Sequence, residues 1–277
     1  MKTYASFRKL YTLETLQLLF LVLALSLIGC TKAEIEEVDN CKIIKTTIAD
    51  TGPYPATITY TFTDNKIATK EIIFNQGTFT SKDFYKYSYT GNNLTKIEFF
   101  INGQALIEQL ISYNTDGTIK EIKDYAMGEY TGIRNFTYSA GKLTKFASRA
   151  QNNSSYNEYD ASFEYAGGNI KSAVWTNLMD PSNVFKYEYT YSTAPNTHFK
   201  NRYFFDHVTN SSERVLPIAL SENLISSYKI STGNGSPVSQ TDYTFTFLAD
   251  GKIESTKVVT TGFSNRTTEG KYEYQCQ

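Results

Sequence analysis

Aromatic residues return along this chain at a nearly constant interval, and this repeat limits its possible folds more than any other feature. Each copy has an aromatic-x-aromatic triplet, a short polar turn that usually contains Gly, and then Leu or Ile followed by Lys or Glu. Successive triplets end at Tyr89, Tyr113, Tyr138, Tyr165 and Tyr189, at intervals of 24, 25, 27 and 24 residues. The pattern predicts a tandem array of one small structural unit.

The copies differ in how much of the unit they preserve. The clearest ones are Tyr87–Lys96, Ile111–Glu121, Phe136–Lys145, Phe163–Lys171 and Phe245–Glu254. Tyr187–Tyr189 and Tyr272–Tyr274 preserve only the first half of the unit, and Phe62–Ile67 is an early degenerate copy.

The unit has the chemistry of a β-hairpin. Alternation along a strand places the two rings of the triplet on one face and the residue between them on the other. Gly after Asp or Asn supplies the positive φ that tight turns require. An interval of this length accommodates two strands of ordinary length with their loops. The sequence therefore predicts an all-β fold, an antiparallel up-and-down meander of repeated hairpins.

One segment, residues 192–240, interrupts the repeat. It contains both histidines of the chain, His198 and His207, and a short helix is predicted over Pro217–Ser226. The segment is interpreted as a plug or cap over one end of the sheet, or alternatively as a binding site. Its candidate ligand-binding residues, for a sugar or a peptide, are Phe199, Arg202, Tyr203 and Phe205, although core packing explains them equally well.

The N-terminus is typical of an export signal. A basic start precedes an apolar run from Leu16 to Ile28, which is too short to span a membrane as a helix. The run ends in Leu27-Ile28-Gly29-Cys30, which resembles the bacterial lipobox. The resemblance implies a signal peptide over residues 1–29, acylation of Cys30 and a lipid-anchored flexible tether over residues 30–40. The alternative is an ordinary signal peptide that happens to contain a cysteine.

Two cysteines remain for the domain over residues 41–277. Cys41 lies at the head of the first predicted strand and Cys276 at the tail of the last. In an oxidising compartment such a pair usually forms a disulfide. That bond requires the first and last strands to be neighbours, so it predicts a closed or nearly closed barrel. Two unpaired thiols are the alternative.

The tyrosine-rich units resemble a family of Bacteroidetes-type lipoproteins of unknown function with a porin-like β-fold. The resemblance covers the chain from about Cys41 to Cys276 and rests on the repeated triplet, Gly turn and Leu-Thr-Lys motif. A looser likeness is to tyrosine-aspartate (RHS-type) repeats. The family implies no activity and no catalytic residues. It implies an outer-membrane location, facing either the periplasm or the cell surface.

Composition and motifs limit the possible functions. With 27 basic and 28 acidic residues, the chain lacks the positive charge of a nucleic-acid-binding protein. No zinc-ligand spacing, nucleophile elbow or phosphate loop occurs, so neither a metal nor a cofactor is expected. A membrane-embedded barrel is disfavoured, because the predicted strands contain many Lys and Glu residues.

Three functional hypotheses remain. The first is a non-catalytic, lipid-anchored envelope protein that binds a glycan or an envelope protein, or has a structural role. The second is a carrier or chaperone for a lipid or an outer-membrane protein, which requires a continuous apolar lining. The third is a glycan-directed hydrolase, which requires a carboxyl of raised pKa near residues 192–240.

Overall fold

The computed structural model describes residues 41–50, 55–76, 79–151, 158–196, 220–262 and 265–276. Within these ranges the chain forms sixteen β-strands. In chain order they are β1 (Cys41–Asp50), β2 (Ala56–Thr63), β3 (Lys66–Gln76), β4 (Phe79–Thr90), β5 (Asn93–Ile101), β6 (Gln104–Tyr113), β7 (Ile119–Ala126), β8 (Glu129–Ser139), β9 (Lys142–Ala150), β10 (Tyr159–Ala166), β11 (Asn169–Asn177), β12 (Val184–Pro195), β13 (Asn223–Thr232), β14 (Pro237–Phe247), β15 (Ile253–Gly262) and β16 (Arg266–Cys276).

The strands form one closed antiparallel barrel. Each strand pairs with its neighbours in sequence, and β1 also pairs with β16. Closure pairs the two strands that would otherwise be the exposed edges of the sheet. The predicted fold class, an all-β up-and-down meander that closes on itself, is confirmed.

Alternating strand direction gives the barrel two different ends. We call the end that holds Cys41 and Cys276 the cysteine end. It also carries the turns between β2 and β3, β4 and β5, β6 and β7, β8 and β9, β10 and β11, and β14 and β15. The polar turns of the sequence repeat therefore all lie at this end. The opposite end, which carries the turns between β5 and β6 and between β7 and β8, is called the distal end.

The β4–β5 hairpin shows how the repeat builds a turn. Gly91 has a φ of 57°, a conformation that glycine adopts without the steric cost of a Cβ atom. The strand register shifts between Ser88 and Tyr89, which marks a β-bulge just before the second ring of the triplet. The Thr95 hydroxyl donates to the Ser88 carbonyl (3.2 Å). The Thr of the Leu-Thr-Lys motif thus stabilises the bulge.

Side chains fill the interior of the barrel. The buried rings and branched side chains form a large cluster that extends from Ala56 on β2 to Ile230 on β13. Trp175 lies among other rings, with centroids 5.0 Å from Tyr159 and 6.0 Å from Phe146. Barrels of sixteen strands can enclose an aqueous channel. Here the tyrosines and phenylalanines of the triplets occupy that space, so the interior is a packed core.

A buried ion pair lies within this core. The Arg134 guanidinium on β8 donates to both carboxylate oxygens of Asp124 on β7, with Nε 2.8 Å from Oδ2. The Gln109 amide on β6 donates to the same carboxylate (2.7 Å). Arg134 is 1% exposed and Asp124 3%. Such a pair is stable only because its charges are mutually compensated and hydrogen-bonded.

The Cys41–Cys276 disulfide takes the place of a turn at the cysteine end. Strand β16 carries the triplet Tyr272–Tyr274, which lacks a second half in the sequence. In β1, Cys41 is followed by Lys42 and Ile43, which match the start of a returning strand. The register pairs Cys41 directly with Cys276 across a Cα–Cα distance of 3.9 Å. β16 and β1 are therefore one more hairpin, whose turn is a covalent bond. The predicted disulfide is confirmed.

Charged residues cover the outer wall of the barrel. Cross-strand ion pairs there include Lys45 with Glu273 (2.6 Å) and Arg149 with Asp160 (2.7 Å). The side chains of these four residues are between 39% and 55% exposed. The outer wall thus carries charged residues that are paired across strands, beside exposed apolar residues such as Ile107 and Leu110.

The interruption of the repeat is shorter in the structure than in the sequence. Strand β12 continues to Pro195 and β13 starts at Asn223, so residues 223–232 and 237–240 belong to ordinary strands. The short helix predicted over Pro217–Ser226 is wrong for its last four residues, which lie in β13 and pair with β12. Strand pairing prevails there over the local helix signals of the sequence.

We expect that replacing Arg134 destabilises the barrel strongly. Arg134→Met leaves the Asp124 carboxylate buried without its guanidinium, which costs about 3–5 kcal/mol of unfolding free energy. The double variant Arg134→Met/Asp124→Leu recovers much of this loss because no buried charge remains. Chemical denaturation followed by tyrosine fluorescence measures all of these changes.

Arg149→Met is the matched control, because Arg149 lies on the neighbouring strand β9 but forms its ion pair on the outer wall. Exposed pairs contribute about 0–1 kcal/mol. Equal losses of unfolding free energy for Arg134→Met and Arg149→Met would contradict the assignment of Arg134 to the packed core.

Loss of the disulfide is expected to lower stability without changing the fold. The bond closes a loop whose ends are 235 residues apart in sequence. In the chain-entropy account, its removal in Cys41→Ser/Cys276→Ser costs up to roughly 5 kcal/mol. Denaturation midpoints of the variant and the oxidised protein test this. A midpoint unchanged both by the substitutions and by reductant would show that the bond does not hold the barrel closed.

Candidate functional site

Two recesses open at the cysteine end of the barrel. The first, which we call the tyrosine cleft, has a volume of about 500 Å³. Residues of five hairpins line it, together with Leu220 from the connection between β12 and β13. Among the hairpin residues are Lys66, Tyr89, Asn92, Asn93, Tyr113 and Tyr138. It lies directly above the packed core, because Leu94 and Ile119 form its floor and belong to that core. Aromatic faces and a few polar groups are the usual lining of a ligand site.

The separation of neighbouring hairpins creates this cleft. Strand β5 pairs with β6 only from the Lys96–Leu110 pair towards the distal end, so the two strands part at the cysteine end. Tyr113 on β6 bridges the gap, since its hydroxyl donates to the Leu94 carbonyl on β5 (2.8 Å). The ring is thereby fixed between two hairpins.

The same bridge recurs around the barrel. Tyr138 occupies the corresponding position; burial raises its pKa, and the backbone of Ile119 in the preceding hairpin partly opposes that shift. The Tyr191 hydroxyl donates to the Ile170 carbonyl (2.7 Å), and Tyr274 donates to the Ile253 carbonyl (2.7 Å). We call these residues, with Tyr113, the tyrosine ladder.

The structure shows that the repeat on β12 is shifted by two residues from its predicted position. The triplet of β12 was predicted to end at Tyr189. The bulge of this strand instead lies between Thr190 and Tyr191. Tyr191 is therefore the equivalent of Tyr165, whereas Tyr189 lies one layer deeper and is buried. Because strand β12 alternates aromatic residues over four positions, from Phe185 to Tyr191, the sequence fits both registers equally well.

The ladder tyrosines stay protonated over the physiological pH range. Burial raises the pKa of Tyr113 and Tyr138 to about 12, and it also raises the pKa of Tyr191. Each hydroxyl consequently keeps the proton that a bond to a carbonyl oxygen requires. The ladder has no titrating group near neutral pH and is built for rigid positioning of its rings.

Lysines cover several rings at the cysteine end. Each lysine directly precedes the branched residue that starts a returning strand, and its ammonium lies over the ring of the following hairpin. The pairs are Lys42 over Phe62 (5.1 Å to the ring centroid), Lys66 over Tyr89 (5.5 Å) and Lys142 over Tyr165 (5.1 Å). Lys66 and Lys142 also donate to the carbonyls of Gly91 and Gly167. Each such cation–π contact contributes about 0.5–1 kcal/mol at an exposed site.

The second recess, the β1–β2 seam, has a volume of about 700 Å³. It exists because β1 pairs with β2 only from Lys45–Thr59 to Ile48–Ala56. Phe62 occupies the position that a ladder tyrosine has in other hairpins, and it has no hydroxyl that could bridge the gap between β1 and β2. The seam adjoins the tyrosine cleft, since Lys42, Phe62 and Asn65 line both recesses.

The residues predicted from sequence to bind a ligand are not part of this description. Phe199, Arg202, Tyr203 and Phe205 lie outside the described residues, as do Cys30 and the two histidines. Trp175, the one tryptophan, is 3% exposed inside the core and offers no surface to a ligand. Sequence reasoning missed Asn92 and Asn93. The available signal was that Asn93 occupies the position before Leu94 at which Lys66 and Lys142 stand in their copies.

Among the described residues, Asp83 is the carboxyl with a raised pKa, and it lies away from the place that the hydrolase hypothesis requires. Burial raises the pKa of Asp83 on β4, and the charge of Lys70 partly opposes the shift. Asp83 pairs with Ile101 close to the distal end. The connection between β12 and β13 leaves the sheet at the cysteine end, so Asp83 does not meet the expectation for a catalytic carboxyl near residues 192–240.

The described residues contain no cluster of three or more His, Cys, Asp or Glu side chains that could hold a metal ion. In the same part of the chain, no helix has the length and apolar character needed to cross a membrane.

Comparisons with known proteins bear on the fold. The chain is similar in structure to a porin-like protein from Bacteroides uniformis ATCC 8492, with a TM-score of 0.55 and 15% identity over 84% of this chain and 98% of that one. A porin-like protein from Bacteroides vulgatus ATCC 8482 gives 0.38 and 12% over the same shares, and a TcdB2-TccC3-Cdc42 complex gives 0.34 and 13% over 74% of this chain and 13% of that one. No family model and no curated protein matches. The chain thus shares the porin-like barrel fold at a level that identifies architecture alone.

Proposed function

We propose that this protein is a non-catalytic, lipid-anchored protein of the bacterial outer membrane that binds an envelope glycan through the cysteine end of its barrel. The observation that carries the proposal is the packed core. Because side chains fill the interior, the recesses at the cysteine end are where a ligand meets the aromatic repeat. Rings, amides and lysines line these recesses, and such groups recognise polar ligands with flat apolar faces.

The lipid anchor rests on the sequence Leu27-Ile28-Gly29-Cys30. Acyl chains on Cys30 tether the protein firmly, since each buried methylene adds about 0.8 kcal/mol. The tether over residues 30–40 joins the barrel at Cys41, and therefore at the cysteine end. The barrel itself stays in water, on the periplasmic or the external side of the membrane.

The outer wall supports this placement. A barrel embedded in lipid has an apolar outer band, and charges there are costly. This wall carries instead the ion pairs Lys96–Glu98 (3.1 Å) and Lys123–Glu121 (3.5 Å) in the middle of strands.

The carrier hypothesis agrees less well with the core. A lumen that holds a lipid needs a continuous apolar lining and free volume. The interior instead contains the Arg134–Asp124 ion pair with Gln109, surrounded by closely packed rings. A bound acyl chain would have to displace both the rings and the compensated charges.

We expect Cys30 to carry the lipid. In a bacterial host that processes lipoproteins, the full chain should incorporate labelled palmitate and sediment with membranes, and Cys30→Ser should do neither. Cys41→Ser is the matched control and should keep the label, because Cys41 forms the disulfide. Label retained in Cys30→Ser would show that the anchor is elsewhere.

We expect the detergent-purified lipoprotein to bind envelope polysaccharide. Incubated with an insoluble polysaccharide preparation from a Bacteroides-type envelope, most of the protein should sediment, and excess soluble polysaccharide should release it. The urea-unfolded, reduced chain serves as the control and should stay in solution. If the folded protein also stays in solution, glycan binding is wrong. If native mass spectrometry finds one lipid per barrel besides the anchor, the carrier hypothesis replaces it.

A further inference from the structure

Two consecutive copies of the repeat lack the lysine that covers a ring in other copies. The position before the branched residue holds Lys42, Lys66 and Lys142 in three hairpins, and each of these side chains lies over the ring of the next hairpin. Between Lys66 and Lys142 the same position holds Asn93 and Thr118. Neither side chain has the length or the charge to cover a ring. Asn169, before Ile170, also replaces the lysine but does not line the tyrosine cleft.

The rings that follow these two positions are Tyr113 and Tyr138. Within the part of the chain that the structure describes, no ammonium or guanidinium lies over either ring. Both rings line the tyrosine cleft, which lies where the lysines are missing. Tyr113 and Tyr138 belong to adjacent hairpins, so they are spaced by two strand separations, about 10 Å.

Both rings are held in place before any ligand arrives. The Tyr113 hydroxyl donates to the Leu94 carbonyl, and Tyr138 is more than half buried beside the backbone of Ile119, which leaves the ring faces for recognition. A fixed ring loses little conformational entropy when it binds. Asn92 and Asn93 are exposed at the rim of the cleft, and their amides can both donate and accept hydrogen bonds.

The geometry points to a binding site for a neutral oligosaccharide, with Tyr113 and Tyr138 as stacking platforms for two sugar rings of one chain. The negative face of an aromatic ring attracts the weakly positive C–H groups on the flat side of a pyranose. The amides of Asn92 and Asn93 bind the hydroxyls of the sugar. This inference rests on the proposed function and specifies its ligand class and its site.

The two lysines that line the cleft are already engaged by groups of the protein. Lys66 already donates to the Gly91 carbonyl and covers Tyr89, and Lys42 donates to the Asn65 side chain. The Asp116 carboxylate lies close enough to Tyr138 to raise its pKa, and hydrogen bonds from Thr118 lower the pKa of Asp116 itself.

Restoring the missing lysine tests the site. Asn93→Lys should place an ammonium over Tyr113, with the Gly117 carbonyl as its second partner, as Lys66 does for Tyr89 and Gly91. Full-length protein in detergent is first screened against arrayed neutral hexasaccharides of β-1,4-linked glucose, β-1,4-linked N-acetylglucosamine and α-1,4-linked glucose. Calorimetry with the best binder should then give a dissociation constant at least tenfold weaker for Asn93→Lys than for the wild type.

Asn135→Lys is the matched control, because it makes the same substitution at an exposed position of β8, on the opposite face from Arg134. It should bind as the wild type does. Lys142→Asn is the converse variant. It uncovers Tyr165, the next ring along, and should leave affinity unchanged or increase it. Thermal unfolding of each variant confirms that the barrel is intact.

The outcomes separate the site from the function. If hexasaccharide binding persists unchanged in Asn93→Lys, the assignment to Tyr113 and Tyr138 is wrong although glycan binding stands. If no neutral hexasaccharide binds while the protein still sediments with envelope polysaccharide, the ligand class is wrong. If sedimentation also fails, the proposed function fails with it.

Discussion

The barrel depends on a single hydrogen bond repeated between hairpins, from a tyrosine hydroxyl to a backbone carbonyl of the preceding hairpin. Neighbouring hairpins pair fully only towards the distal end, so each would otherwise leave unsatisfied backbone groups at the cysteine end. The tyrosine satisfies the carbonyl and closes the gap with its ring. This explains why the repeat uses Tyr more than Phe at this position, since the hydroxyl is the group that makes the bridge.

The aromatic triplets both fill the interior of the barrel and line the recesses at the cysteine end. The first rings of several triplets, such as Phe136 and Tyr189, pack into the core, and a second ring such as Tyr191 lies in the ladder above it. A core filled in this way supports the rings at the cysteine end rigidly, and its packed side chains occupy the space that an open barrel would use as a channel. The proposed recognition is therefore assigned to the cysteine end. One side chain per hairpin differs there, and a Lys covers the next ring at Lys42, Lys66 and Lys142.

Much of the architecture could be predicted from the chain alone. The period of the triplets indicated hairpins, and the positions of Cys41 and Cys276 indicated closure; both were confirmed. The register at Tyr191 and the start of β13 at Asn223 could not be predicted, because alternating aromatics fit two registers and short helix signals compete with strand pairing. The role of Asn93 could not be predicted either, because the contact between a lysine at this position and the ring of the next hairpin is visible only in the structure.

The sequence by itself determined which residues alternate, where the turns fall and which cysteines meet, because these follow from local backbone geometry and a period of two along each strand. The tertiary structure alone decided that the interior is packed, that Trp175 is buried and that Tyr113 and Tyr138 share one cleft. Those facts depend on contacts between hairpins about 25 residues apart in the sequence. The distance from a ring to a cation on another strand is set only when the sheet has closed.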